Sequence, residues 1–401
     1  YNSIISTTDI KDWKEQRQNF QTAFSVEDKL KKIIPISIER TKYCCNLLND
    51  LINKNEGINI NEGININEGI NINEGININE GININDFLLN ETMAQLQLAM
   101  LGFSNQFQEK TNKKIRNVFS GKKSNYSKQY YLEFLEEVKK SNGPLSSVFQ
   151  NNLMKTKKEL FGNSIIFSFA GHDTTGNTLT WLIYELCNNL DIQKKLQNEI
   201  DLFWENKDNK KIEYIDFKKL PYLTRCIMET LRLWSPIPNG TYRELIDDDY
   251  ILGKNNKKVK LRKGTYIQIP NWSRHRNPIL WGDDVNIFNP DREFKDEELW
   301  NGTIMNTYNP STERFSPFTY SPRDCIGKNF SQIEMRIILL YLLKNYDFKL
   351  TTKQKETYKE EDIGLNMFTL GPRDIFNYKK MGLYVNINHR NINHRNINSK
   401  L

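Results

Sequence analysis

The sequence predicts a mainly α-helical fold with a small β region. Apolar residues recur at helical spacing over long stretches, as in Ile326, Phe330, Ile333, Ile337 and Leu340. Strand-like segments are short, as at 250–252, 259–261 and 265–270, where Gly253 to Asn256 and Lys263-Gly264 supply turn signals. The 401 residues suffice for one large or two ordinary domains with a sizeable core. The mean hydropathy of −0.66 and the lack of an apolar run near 18 residues exclude a membrane span within this sequence. A net charge of +7 with acids and bases interleaved reads as a mixed solvated surface. No zinc-finger spacing, stacking motif or basic helix supports nucleic-acid binding. The five cysteines, Cys44, Cys45, Cys187, Cys226 and Cys325, form no C-x-x-C pair, which argues against a disulfide framework or a structural zinc.

Taken in order, Thr8-Asp9 caps a helix running to Phe24 that carries Trp13 and Arg17 one turn apart on a common face. A second helix spans 25–53, with Cys44 and Cys45 as structural residues. Five tandem copies of Asn-Glu-Gly-Ile-Asn-Ile fill 55–84. They offer little apolar surface against roughly 1–2 kcal/mol of backbone ordering per residue, and read as a mobile surface insertion without chemistry. Leu88, Leu89, Met93 and Leu96 mark a helix over 86–103. Residues 104–144 are polar and lysine-rich, with one helical patch at 130–138. A long apolar helix over 155–189 is interrupted by Ala170-Gly171-His172-Asp173-Thr174-Thr175; a glycine and competing polar side chains weaken a helix interior, so their presence there demands a reason. In the helix at 218–234, Glu229 and Arg232 stand three apart and can pair. Cys325 falls at or just before a helix N-terminus, a position that favours thiolate. Segments 348–350 and 383–385 suggest a terminal hairpin, and 386–401, with its repeated Asn-Ile-Asn-His-Arg, reads as a disordered tail.

The stretch Phe318-Thr-Tyr-Ser-Pro-Arg-Asp-Cys325-Ile-Gly327 resembles F-x-x-G-x-R-x-C-x-G, the haem-thiolate signature of the cytochromes P450. By that match Phe318 packs beneath the haem, Arg323 meets a propionate, Cys325 is the axial ligand, and Gly327 allows close approach of the macrocycle. Ser321 stands where the family has glycine; a positive φ there would cost about 1–3 kcal/mol. Four further motifs follow the family order. Trp13 and Arg17 resemble the W-x-x-x-R that reaches a propionate. Ala170 to Thr175 resemble the segment that opens a groove for dioxygen, with Asp173 and Thr174 as the acid–alcohol pair supplying protons, and His172 and Thr175 as structural neighbours. Glu229 and Arg232 resemble the E-x-x-R element, and Arg292, in Phe288-Asn-Pro290-Asp-Arg292, would close its structural triad. Arg243 matches a strand arginine directed at a propionate, and residues 237–242 and the turn at 367–370 would touch substrate.

The resemblance implies a P450 domain over 1–385, partial in that the N-terminal helices and sheet strands of the family are missing, with the repeat inserted in it. It implies one haem b with an axial thiolate from Cys325 and a monooxygenase reaction placing one atom of O2 in an apolar organic substrate. The microsomal-type motifs imply electrons from NADPH-cytochrome P450 reductase or a similar donor, docking on Lys11, Lys14, Lys328 and Arg336. They also imply a membrane-associated enzyme of the endoplasmic reticulum facing the cytoplasm, its anchor not present in this chain. The two helices that roof the pocket in the family fall in 104–144, which is short for that task. The alternative is a degenerate haem-binding remnant without turnover, resting on the missing N-terminal segment, that short lid, Ser321 and the repeat. A rearrangement of peroxides or epoxides without O2 is a third reading, and the Asp173–Thr174 pair argues against it.

Overall fold

A computed structural model describes residues 2–55, 76–77, 81–119, 126–151, 156–207, 211–295, 298, 312–359, 362–366 and 369–390. Helix α1 (Ile10–Phe24) is capped by the Asp9 side chain, which accepts from the Asp12 N–H, and buries Trp13, Gln16, Phe20, Ala23 and Phe24. Helix α2 (Glu27–Asn55) follows with Cys44 and Cys45 inward. Most of the repeat lies outside the described residues, but two of its pieces are strands: β1 (Ile76–Asn77) and β2 (Gly81–Asn83). Asn83 then caps α3 (Ile84–Gln95), which continues into a π turn at Leu96–Met100.

Residues 104–144 hold two helices where the sequence shows one. These are α4 (Asn105–Phe119) and α5 (Tyr126–Lys140), each of 15 residues. The first was hidden because its inward face, Phe107, Gln108, Thr111, Asn112, Ile115 and Phe119, is half polar and carries only three large apolar side chains. Helix α6 (Pro144–Gln150) leads to α7 (Lys157–Asn188), which a Thr156/Glu159 capping box opens. Helix α7 is continuous, which corrects the expected interruption at 170–175. The polar residues there bond within the helix: the hydroxyls of Thr174, Thr178 and Thr180 and the amide of Asn177 each donate to the carbonyl four residues earlier. Gly171 serves packing, because a Cβ on it would lie 2.7 Å from Leu96 Cδ1, and α3 runs closely along α7.

Helices α8 (Leu190–Glu205) and α9 (Pro221–Leu233) complete the central layer. Two small antiparallel sheets follow, β3 (Thr241–Glu244) with β6 (Tyr266–Ile269), and β4 (Asp249–Leu252) with β5 (Lys258–Leu261). Gly240, at φ +63°, turns the chain into β3 so closely that a Cβ would stand 1.8 Å from the Ile269 carbonyl oxygen. Short helices α10 (Asn271–His275) and α11 (Pro278–Trp281) lead to the cysteine turn and to α12 (Lys328–Asn345), which packs against α2 and α8.

The two expected terminal strands, β7 (Tyr346–Leu350) and β10 (Tyr384–His389), pair antiparallel, and β2 and β1 extend them into a sheet of order β1-β2-β10-β7. Between these strands come α13 (Thr352–Thr357) and the hairpin of β8 (Ile363–Asn366) and β9 (Thr369–Pro372), whose tip, 367–368, lies outside the described residues. Residues 386–389, placed by the sequence in the tail, belong to β10 and pair with β7 from Val385↔Leu350 to His389↔Tyr346. Arg390 is held by Asp201 at 2.9 Å; residues 391–401 lie outside the described residues. The result is a mainly α protein with minor β sheets.

Candidate active site

The cysteine turn is built from its backbone. The Cys325 N–H donates to the Phe318 carbonyl at 2.9 Å, and the Thr319 hydroxyl donates to the Arg323 carbonyl at 3.2 Å. The residue at positive φ is Thr319, at +62°, and not Ser321, which stands before a cis proline peptide. The backbone strain expected at Ser321 therefore falls on a β-branched residue two positions earlier. Cys325 is exposed, and a Cβ on Gly327 would lie 4.0 Å from its Sγ, so the glycine keeps the space beside the sulfur open. Helix α12 begins three residues after the cysteine. Although part of Cys325 reaches solvent, the protein packed around its sulfur pushes the thiol up, and the Gly327 N–H, Arg17 and Lys328 oppose this only in part. A metal ion binding this sulfur would displace the thiol proton.

Trp13 and Arg17 lie on α1 beside this turn. The guanidinium of Arg323 sits over the Trp13 ring, 4.4 Å from its centroid. Arg17 donates from Nη1 to the Asp324 carbonyl at 2.6 Å and from Nη2 to Asp324 Oδ1 at 2.8 Å. Lys328 adds a bond of 2.6 Å to Asp324 Oδ2. Arg17, expected on a propionate, is therefore committed to bracing the cysteine turn. Burial, with Arg243 nearby, holds the Arg323 guanidinium below its ordinary value. Arg243 donates to the Tyr242 carbonyl at 2.9 Å, and no ion pair to either arginine occurs among the described residues. Two neighbouring cations without a protein carboxylate suit an anionic ligand. An exposed cysteine with no cluster of other His, Cys or carboxylate donors among the described residues suits an iron already held by a macrocycle. Arg323, Arg243 and Trp13 beside Cys325 and Gly327 thus fit a haem with its propionates.

On α7, Asp173 is 2 % exposed, and its Oδ2 accepts from the Thr369 hydroxyl on β9. Burial pushes its carboxyl up to about 6, while the Thr369 hydroxyl and the charge of Arg116 pull it down. Thr174 is half-buried, and its hydroxyl donates to the Ala170 carbonyl at 3.3 Å, a long bond. The two side chains are thus held by different partners. His172 is buried, bonds through Nδ1 to the Ser168 carbonyl at 2.8 Å and is driven down to about 3 by burial, so it is neutral.

The structure brings Glu229, Arg232 and Arg292 together. Arg232 makes two bonds of 2.7 Å to the two Glu229 oxygens and donates to the carbonyls of His275 and Val285. Arg292 reaches Glu229 Oε1 at 3.1 Å and Asp284 Oδ1 at 2.7 Å. The group ties α9 to the segment carrying α10, α11 and the approach to the cysteine turn. Of the cations expected on a docking face, Lys11 and Lys14 are exposed and Lys328 is half-buried. Arg336 is fully buried, bonded to Gln332 and Thr224, and cannot meet a partner.

Two residues that hold the site escaped the sequence reading. Asp324 was flanked by named residues, and its i, i+4 relation to Lys328 was the available signal. Thr369 had none, since its partner lies 196 positions away.

A mainly α core with minor sheets carries a cysteine turn that holds Arg323, with Arg243 near that guanidinium, and a polar segment on the long central helix. A family model for cytochrome P450 matches residues 2–375, and the chain belongs to that family. Among its relatives, cytochrome P450 3A12 of Canis lupus familiaris is 36% identical over 191 residues, covering 48% of this chain and 34% of the relative. Cytochrome P450 4F8 of Homo sapiens is 32% identical over 239 residues (60% and 42%), and cytochrome P450 3A40 of Oryzias latipes 30% over 236 residues (58% and 42%). The chain spans about two fifths of the length of the curated relatives it matches. No helix among the described residues is long and apolar enough to cross a membrane.

Proposed function

We propose that the chain is a haem-thiolate monooxygenase acting on an apolar organic substrate. The observation that carries this reading is the exposed Cys325 beside Gly327, faced by the neighbouring guanidiniums of Arg323 and Arg243. Cys325 would supply the sulfur that holds the haem iron, Arg323 and Arg243 would meet the haem's anionic groups, and Trp13 packs on Arg323. Phe318 would contribute an apolar contact to the haem, as family membership implies. When bound, the haem would supply activation of O2 and transfer of one oxygen atom. Arg17 acts through Asp324, fixing the turn that delivers the sulfur.

Asp173 is the proton-holding group. A carboxyl poised near 6 exchanges protons readily close to neutral pH. Thr174 would carry the proton onward from Oγ1, because its long bond to the Ala170 carbonyl leaves the hydroxyl weakly held. The triad of Glu229, Arg232 and Arg292 maintains the fold around the cysteine turn and has no part in the chemistry. Electrons would come from a flavoprotein reductase, with Lys11, Lys14 and Lys328 on the docking face.

The test is oxygen-isotope incorporation. The haem-loaded full chain is incubated with NADPH, cytochrome P450 reductase, labelled O2 and a panel of apolar substrates. One labelled atom per product molecule is the expected result. Stoichiometric haem with no labelled product across the panel would instead establish a haem-binding remnant.

A further inference from the structure

The β8–β9 hairpin does more than border the site. Strand β9 is pinned at Leu370, whose carbonyl accepts from the Trp181 indole of α7 at 3.0 Å and whose N–H donates to the Pro236 carbonyl at 3.0 Å. Trp181 is itself fixed, stacked on Trp234 with ring centroids 4.0 Å apart and planes within 5°. Gly371 lies against Asn177, since a Cβ on it would come within 2.7 Å of Asn177 Oδ1, and Asn177 bonds to the Asp173 carbonyl at 2.9 Å. The pinned residue is next to Thr369, which is fully buried and donates its hydroxyl to Asp173 Oδ2. A donor fixed in this way directs the carboxyl toward β9, while the neighbouring Thr174 hydroxyl bonds back along its own helix.

We propose that Thr369 is the positioning residue for Asp173, holding its carboxylate in the ionised form and turned toward β9. The proposal rests on the reading of Asp173 as the proton-holding group. A neutral hydroxyl that donates to a carboxylate favours the charged form over the protonated one. The only other charged group acting on Asp173 among the described residues is Arg116 of α4, which is paired with Asp86 at 2.8 Å; His172 is neutral. Thr369 therefore supplies the short-range part of the stabilisation, and the hairpin that carries it sets the state of the acid.

The test compares thermal unfolding of the full chain with Thr369→Val, which keeps shape and removes the hydroxyl, and Thr369→Ser, which keeps the hydroxyl. Titrations elsewhere in the chain cancel in the difference between the natural chain and a variant. For Thr369→Val the Tm deficit is expected to open as pH rises through about 6, reaching about 2–4 °C at pH 8, and to be much smaller at pH 4.5. Thr369→Ser should restore the natural profile. In an Asp173→Asn background the Thr369→Val deficit should lose its pH dependence. A deficit equal at both pH values, or a pH-dependent one that persists with Asp173→Asn, overturns the proposal, because the hydroxyl would then be merely structural. None of these measurements needs haem or turnover, so their outcome is separate from that of the oxygen-incorporation experiment.

Discussion

Replacing Glu229 with alanine is expected to destabilise the chain by about 3–5 kcal/mol, among the largest effects of any single substitution here. The Glu229 carboxylate is fully buried and accepts from Arg232 twice, from Arg292 once and from the Asn289 N–H at 3.1 Å. Its removal leaves two guanidiniums without their shared counter-charge in a region that water cannot reach. Arg232→Lys should be nearly as damaging, because an ammonium cannot bond both Glu229 oxygens and the His275 and Val285 carbonyls in one planar fork. Urea unfolding reads both effects as a fall in midpoint at unchanged slope. A loss below about 1 kcal/mol for Glu229→Ala would show the group behaving as a solvent-exposed pair, against its placement in the fold.

Asp173→Asn is expected to move stability and activity in opposite directions. The folded-state pKa of Asp173 is raised from 3.8 to about 6. A raised carboxyl stabilises the fold fully below the unfolded value, and that contribution is lost as pH climbs from about 4 to about 6; the natural chain thus carries a penalty of at most about 3 kcal/mol at neutral pH. Asparagine has no charge to bury and can still accept from Thr369, so the variant should be more stable at pH 7 by about 1–3 kcal/mol and unchanged near pH 4. Turnover should fall by about 10²-fold or more if Asp173 holds the proton for the reaction. A variant as active as the natural chain would remove Asp173 from the chemistry, while one that is less stable at pH 7 would show the carboxylate to be structural.

These expectations rest on contacts that differ in how far they can be read from sequence. Glu229 and Arg232 are legible because they share a helix at i, i+3. Arg292, 63 positions from Glu229, was reached only through family resemblance. The cysteine turn was legible as a motif, yet the positive φ at Thr319 leaves no mark in the sequence, and the double grip of Arg17 on Asp324 comes from a helix more than 300 residues earlier. Helix α4 was obscured because three of its six inward residues, Gln108, Thr111 and Asn112, are polar. The second half of strand β10, 386–389, reads as tail because its asparagines resemble low complexity; the alternation of buried Val385 and Ile387 with exposed Asn386 and Asn388 is the signal for strand. The same motif in the repeat yields β2, where Ile82 pairs with Val385. The Thr369–Asp173 contact joins strand and helix across most of the chain, and no local pattern announces it.

The most direct measurement is the carbon-monoxide difference spectrum of the reduced, haem-loaded full chain beside Cys325→Ala. A strongly red-shifted Soret band in the natural chain, absent from the variant, is the expected result and assigns the ligand to the Cys325 sulfur. A natural chain without that band, or a variant that retains it, would contradict ligation by Cys325.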